Sequence, residues 1–402
     1  MHSNKKVTIN YLLIGLLFLL CIVSCIAIKS SAPLITKIAN PENLWFRQLM
    51  FFGLSFILMF IVYKFGNDRI YQLVWIAYGI FMILLIGLVV ERFAIMAFGR
   101  SIVPLAKTTN GATSWYVLPS FDLQPSEFMK VILVLVLSKV ISAHNNLYPV
   151  HRFRTDCLML GKVLAISLPP CILIYLQNDA GVTLIILVSI VFVLFVSGLQ
   201  ARWFVVGGVI IGAVLAIAIY LFLFQHDTFV DIIGGGYKMN RFYGWIDPER
   251  TYSNEGYQLF NALIAFGTGG MFGHGFQSSV MPFPEAQTDF IFAVIAQDFG
   301  FVGGILTILL VVAFDAALIY IGMRSTTDRD KYYVAGIFGM LIFQQVWNIA
   351  MVMGLVPITG ITLPFISYGG SSLLSYMIAI GVFLDIDKQS KIIASKGHLQ
   401  DL

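Results

Sequence analysis

Asp289 stands where a polar loop ends and an apolar helix begins, within Pro284-Glu-Ala-Gln-Thr-Asp-Phe-Ile-Phe-Ala-Val294. A carboxylate at such a boundary meets water and solute on one side and low dielectric on the other, so its pKa can be tuned upward for general-base work. Glu285 places a second carboxylate in the same motif. Thr288 and Asp289 would equally serve as a helix N-cap. A second group comes from the ionisable Glu127 and Lys130 with the hydroxyl of Ser126, whose spacing puts all three on one helix face. They form either a local ion pair or part of a buried site. Asp179, in Gln177-Asn-Asp-Ala-Gly181, has no cation beside it in the chain. Turn chemistry explains Asn, Asp and Gly there, but a carboxylate at that rim would also complete a Glu127, Lys130, Asp179 cluster.

The elements that must position these groups are transmembrane helices. The chain has 402 residues, 58% of them hydrophobic and 11% charged, which is too apolar for a soluble globular protein. Runs long enough to cross a bilayer, which takes about 20 helical residues, fall near 11–28, 44–63, 70–90, 127–143, 158–177, 181–198, 203–224, 299–322, 332–353 and 367–384. The chain is therefore read as an all-α polytopic membrane protein, a single integral-membrane domain over 1–402 with about ten spans. Lys5, Lys6, Lys64, Arg69, Arg152, Arg154, Lys162, Arg202, Arg324, Arg329, Lys331, Lys388, Lys391 and Lys396 all fall on one face. By the positive-inside rule both termini are cytoplasmic, and the start at 11–28 is a retained span rather than a cleaved signal.

Loop lengths then locate the chemistry. Segments 91–126 and 225–289 lie outside, the second being a large extracytoplasmic loop between the seventh and eighth helices. It is rich in aromatics and glycines, and its 257–266 stretch is apolar but too short to span, as in a helix lying at the outer interface. Such a platform suits a lipid-linked substrate. The net charge of +4 arises in the cytoplasmic loops and favours membrane lipids over nucleic acid as a partner. Cys21, Cys25, Cys157 and Cys171 offer no extracytoplasmic disulfide or metal set. Lys139 is expected to snorkel to headgroups, Pro169-Pro170 to disturb the fifth span, and Asp315 to face inward or a helix interface.

Several segments together carry a family likeness: Asn110-Gly-Ala-Thr-Ser-Trp115, Gln124-Pro-Ser-Glu-Phe-Met-Lys130, Gln177 to Gly181, Gly256-Tyr-Gln258, Gly267-Thr-Gly-Gly270, Pro284 to Phe292, and Pro357 to Ser372. In order along nearly the whole chain, they resemble the SEDS family of RodA, FtsW and SpoVE. The resemblance implies a peptidoglycan glycosyltransferase that polymerises lipid II at the outer face of the bacterial cytoplasmic membrane. It implies Asp289 as the essential carboxylate and Glu127, Lys130 and Asp179 as a functional polar cluster. Arg47 matches a position that is basic in relatives.

The chemistry needs a base for a sugar hydroxyl and positive charge for a departing pyrophosphate. Arg47, Lys130, Lys238 or Arg241 could meet that charge, as could a divalent cation (Mg2+ or Mn2+), which the resemblance implies and no ligand spacing demonstrates. Many relatives carry histidine where this chain has Gln287, so Asp289 is expected to work without it. Relatives also differ at Ser114 and at Gln297-Asp298. Leu123 to Lys130 and Asn348-Ile-Ala-Met351 lean towards a RodA-like role in elongation or peripheral wall synthesis, with FtsW-like division as the alternative. Either role implies a class B penicillin-binding protein and other cell-wall synthesis proteins as partners. A lipid II flippase or transporter is the alternative of another class; it predicts paired broken helices or matching halves, and the sequence has no such internal symmetry.

Overall fold

The computed structural model describes residues 9–400 apart from 36, 37, 39, 110, 111, 120, 234, 235, 254, 255 and 279; the side chains of 109, 233, 236–238, 240 and 396–400 also lie outside the description. A helix falls on every expected span: α1 Tyr11–Ser31, α2 Leu44–Phe65, α3 Asn67–Phe98, α4 Pro125–Leu147, α5 Phe153–Leu176, α6 Ala180–Val196, α7 Ala201–Phe224, then α11 Ile291–Met323, α12 Asp328–Val352 and α13 Gly370–Gln400. Eight of them are long and apolar enough to cross a membrane. The other two are α6, with 17 residues, and α4, which carries Glu127, Lys130 and Lys139. α4 tolerates those charges because protein surrounds it. It packs against α3, α5, α6, α12 and α13, and is buried almost continuously from Pro125 to Ser138.

Local signals set the helix ends. Pro125 opens α4 at a position where its missing N–H costs nothing. The Asp179 carboxylate accepts from Val182 N at 3.1 Å and caps α6. Gly99, at φ 65°, ends α3 in the left-handed region. Gly381 lets α13 cross α2 closely, since a Cβ there would meet the Met59 carbonyl at 2.7 Å.

Five features depart from the expectations. First, 91–126 contains a three-stranded antiparallel sheet, β1 Ala106–Thr109, β2 Ala112–Val117 and β3 Asp122–Leu123. Second, the 225–289 loop is largely helical, with α8 His226–Ile233, α9 Gly236–Ile246 and α10 Tyr257–Thr268, the last on the stretch read as an interfacial helix. Third, the eighth span begins earlier than 299 and is broken. Gly300, at φ 65° and ψ −160°, divides α11 into 291–299 and 301–323.

Chain from another loop fills that break. Phe301 N and Val302 N donate to the Gly270 and Met271 carbonyls at 2.8 and 3.1 Å, while His274 N and Gly275 N donate to Gln297 and Asp298 at 2.9 and 3.1 Å. Non-helical backbone at membrane depth survives only where protein satisfies its polar groups. Asp298 reinforces the join, accepting from Ser30, from Gln277 N at 3.0 Å and from Ser278 at 2.5 Å.

Fourth, Lys139 does not reach for headgroups; its Nζ donates to the Tyr71 carbonyl at 2.6 Å, because α3 offers an acceptor within reach. Fifth, α5 runs through Pro169 and Pro170 as one helix. Asp315 does lie at a helix interface, buried on α11 and accepting from Gln345 of α12 at 3.2 Å.

Candidate active site

The backbone around Asp289 is fixed from three sides. Gln258 and Asn261 of α10 donate to the Pro284 and Pro282 carbonyls at 3.1 and 3.2 Å. Tyr368 N donates to Gln287 O at 2.9 Å, and the Ser367 hydroxyl to Thr288 O at 2.7 Å. From α12, the Asn348 amide donates to the Asp289 carbonyl at 2.7 Å and to the Ile361 carbonyl at 2.8 Å. The result is a preorganised loop that aims one carboxylate.

That carboxylate is half-buried and lies outside the helix that follows. Burial chiefly, and then the charge of Glu285, lift the Asp289 pKa to about 7, against the opposing pull of Arg241. Glu285 itself adopts φ 57°, an unusual conformation for a side-chain-bearing residue, and accepts from the Thr288 hydroxyl at 3.2 Å. Gly360 closes the other side. It has φ +76°, and a Cβ there would lie 3.4 Å from Asp289 Oδ2 and 3.9 Å from Arg241 Nη1.

Arg241 links this carboxylate to the second cluster. Carried on α9, it lines a cavity of about 250 Å³ together with Asn178, Asp179, Gly181 and Thr359. The Asp179 carboxylate on its wall accepts from Gln124 Nε2 at 2.9 Å and Ser126 Oγ at 3.3 Å as well as from Val182 N. Burial raises its pKa, and those hydrogen bonds oppose the rise.

Glu127 and Lys130 pair at 3.0 Å, next to Asp179, so the three residues do form one cluster. Lys130 is 2% exposed and also donates to Tyr376 Oη at 3.2 Å, while Tyr376 donates to Gln344 at 2.6 Å. Glu127 Oε2 is buried without a partner. β3 and the turns hold this end of α4 in place: Gln124 N donates to Ser371 Oγ at 3.1 Å, Ser371 donates to the Asp122 carbonyl at 2.6 Å, and Thr113 N donates to Gln177 O at 3.3 Å.

Arg47 is exposed at the start of α2 and interacts with Tyr368, across the 367–369 segment from Asp289. The Lys238 side chain lies outside the described residues. Among the described residues no group of three or more His, Cys, Asp or Glu could hold a metal ion. Sequence reasoning missed the supporting residues Gln344, Asn348, Ser367 and Tyr376. Gln344 and Asn348 had a readable signal, two amides four apart on one face of an otherwise apolar helix.

Residues 9–392 match the FtsW, RodA and SpoVE family, described as cell cycle proteins. The chain is 29% identical to stage V sporulation protein E of Bacillus subtilis, covering 97% of this chain and 100% of that one. It is 33% identical to the probable peptidoglycan glycosyltransferase FtsW of Francisella salina (91% and 86%) and 31% identical to the peptidoglycan glycosyltransferase MrdB of Escherichia coli (71% and 74%). Among solved structures, it resembles a chain of a peptidoglycan synthase complex that coordinates polymerization and crosslinking, with TM-score 0.72, 26% identity, and 95% and 98% of the two chains covered. The rod shape determining protein RodA of Thermus thermophilus superimposes with TM-score 0.64 at 25% identity, covering 96% and 98%. With a match spanning the bundle and both clusters, this chain belongs to the FtsW/RodA/SpoVE family.

Proposed function

We propose that the protein is a peptidoglycan glycosyltransferase that polymerises lipid II, with Asp289 as general base. The observation that carries this reading is the half-buried Asp289 carboxylate, tuned to about 7 on a fully braced loop and flanked by Arg241. A base of that pKa is half ionised near neutral pH, where proton transfer is most efficient.

In the reaction, an acceptor sugar 4-hydroxyl attacks the anomeric carbon of an undecaprenyl-pyrophosphate-linked disaccharide. The new glycosidic C–O bond forms as the anomeric bond to pyrophosphate breaks, and the hydroxyl proton passes to Asp289. A single displacement inverts an α-linked donor to a β-linked glycan. Arg241, on the wall of the 250 Å³ cavity, meets the charge of the leaving pyrophosphate. Lys130 holds Glu127 and the start of α4 beside Asp179, whose carboxylate orients the acceptor; Arg47, beside Tyr368, adds positive charge near the site.

Asp289 and Glu285 are also the residues that would hold a divalent cation, since Mg2+ is commonly bound by one or two carboxylates plus substrate phosphates. When bound, the cation would supply further charge neutralisation for the pyrophosphate. Basic residues on the opposite face support cytoplasmic termini and an outward-facing site. Similarity to a peptidoglycan synthase complex chain supports a class B penicillin-binding protein as partner.

Relatives named FtsW and MrdB align at nearly equal identity. We favour the elongation role on Leu123 to Lys130; depletion that costs the cell its rod shape would support it, and depletion that yields filaments without septa would assign the chain to division. For the activity itself, purified protein given lipid II in detergent should yield glycan chains. A flippase has no compartments to work between there, so an intact protein that leaves lipid II unchanged, alone and with its partner, contradicts the polymerase reading.

A further inference from the structure

A second cavity lies away from the Asp289 loop, between the C-terminal end of α4 and the N-terminal half of α5. It measures about 380 Å³ and has an apolar wall that includes Val140, Leu147, Ala165 and Ile166. Leu147 and Ala165 are exposed, so the groove opens sideways to where lipid chains run. Lys162 and His144 are the only lining residues with polar side chains, and their apolar portions make the wall continuous.

Lys162 Nζ lies 3.2 Å from His144 Nδ1. An ammonium only donates, so Nδ1 accepts and the ring proton sits on Nε2. His144 is 1% exposed, and its ring lies against the Thr155 backbone, with Nε2 buried. The neighbouring carboxylate, Asp156, is taken up by His151 at 2.9 Å and by Trp203 Nε1 at 3.1 Å. Among the described residues Lys162 makes no ion pair, and Arg152 and Arg154 add positive charge where α5 begins. A lysine nine residues inside an apolar helix, on the wall of an apolar groove and without an ion pair, calls for an anion that brings its own hydrocarbon.

We propose that this groove seats one anionic phospholipid of the inner leaflet, its acyl chain along the α4–α5 wall and its phosphate accepting from Lys162, which His144 holds from behind. The site is separate from the catalytic cluster, and α4 connects the two.

The test is native mass spectrometry of the full chain reconstituted with phosphatidylglycerol or phosphatidylcholine of identical acyl chains. The wild type should retain one phosphatidylglycerol about fivefold more readily, the ratio that corresponds to about 1 kcal/mol for one Lys–lipid charge contact. Lys162→Gln should abolish the preference, whereas Ala165→Phe, on the lipid-facing rim, should fill the groove and reduce retention of both lipids. Arg324→Gln, on another surface, should change nothing. Ala165→Phe carries the test alone if Lys162→Gln does not fold. Equal retention by the wild type, preference surviving Lys162→Gln, full occupancy in Ala165→Phe, or displacement of the lipid by millimolar inorganic phosphate would overturn the proposal.

Discussion

The Asn348 side chain ties the Asp289 carbonyl to that of Ile361, with hydrogen bonds of 2.7 and 2.8 Å from one amide nitrogen. α12 thereby fixes both the loop that carries the carboxylate and the loop that carries Gly360 beneath it. Asn348→Ala should lower kcat at least about tenfold with little change in KM, because a misaimed base loses transition-state contacts. Two buried carbonyls would lose their donor, so Tm should also fall, by the equivalent of about 1–3 kcal/mol. Normal turnover in Asn348→Ala would remove this bracing role.

The pH–rate profile should rise through a midpoint of about 7 as Asp289 ionises. Glu285 raises that pKa and Arg241 lowers it, so the signs are opposite: Glu285→Gln should move the midpoint down, and Arg241→Gln should move it up. In stability terms, a folded pKa above the unfolded value of 3.8 means that folding is favoured below pH 4 and progressively less so as pH rises to 7. Asp289→Asn should therefore gain thermal stability relative to wild type above pH 7 and lose that advantage near pH 4. Shifts of both variants in one direction would contradict the assigned electrostatics.

Lys130→Met keeps the length of the side chain and strands Glu127 in a buried site, at a cost of about 3–5 kcal/mol. Adding Glu127→Gln should restore much of the lost Tm. Full activity and stability in Lys130→Met alone would show the ion pair to be dispensable.

Orientation is checked by thiol labelling in intact cells stripped of their outer barrier. A cysteine at Ser253, exposed in the turn before α10, should react with an impermeant reagent; one at Thr326, exposed between α11 and α12, should not. The reverse pattern would invert the topology and turn Asp289 away from the outer face.

Legibility followed sequence distance. Asp289 and the Glu127–Lys130 pair were readable because their meaning is local: a loop-to-helix boundary and a helical repeat. Asp179 was readable as a turn residue, but its partners Gln124 and Ser126 are more than 50 positions away. The break at Gly300 was invisible because glycine is ordinary in a membrane helix; what opens the helix there is the 270–275 segment threading into it. The antiparallel pairing of β1 with β2 had a signal in the sequence, the dipeptide Asn110-Gly111 between threonine-bearing flanks. Lys139 was misjudged because its acceptor is a backbone carbonyl on α3, which no side-chain pattern reveals.

Central to the account is the carboxylate of Asp289, and the most direct measurement is glycan synthesis from lipid II by purified Asp289→Asn. Asn keeps the size of the side chain and removes only the basic group, so the variant should fold, bind its partner as wild type does and make no polymer at any pH. Polymerisation by a folded Asp289→Asn protein at a rate near wild type would contradict the general-base assignment outright.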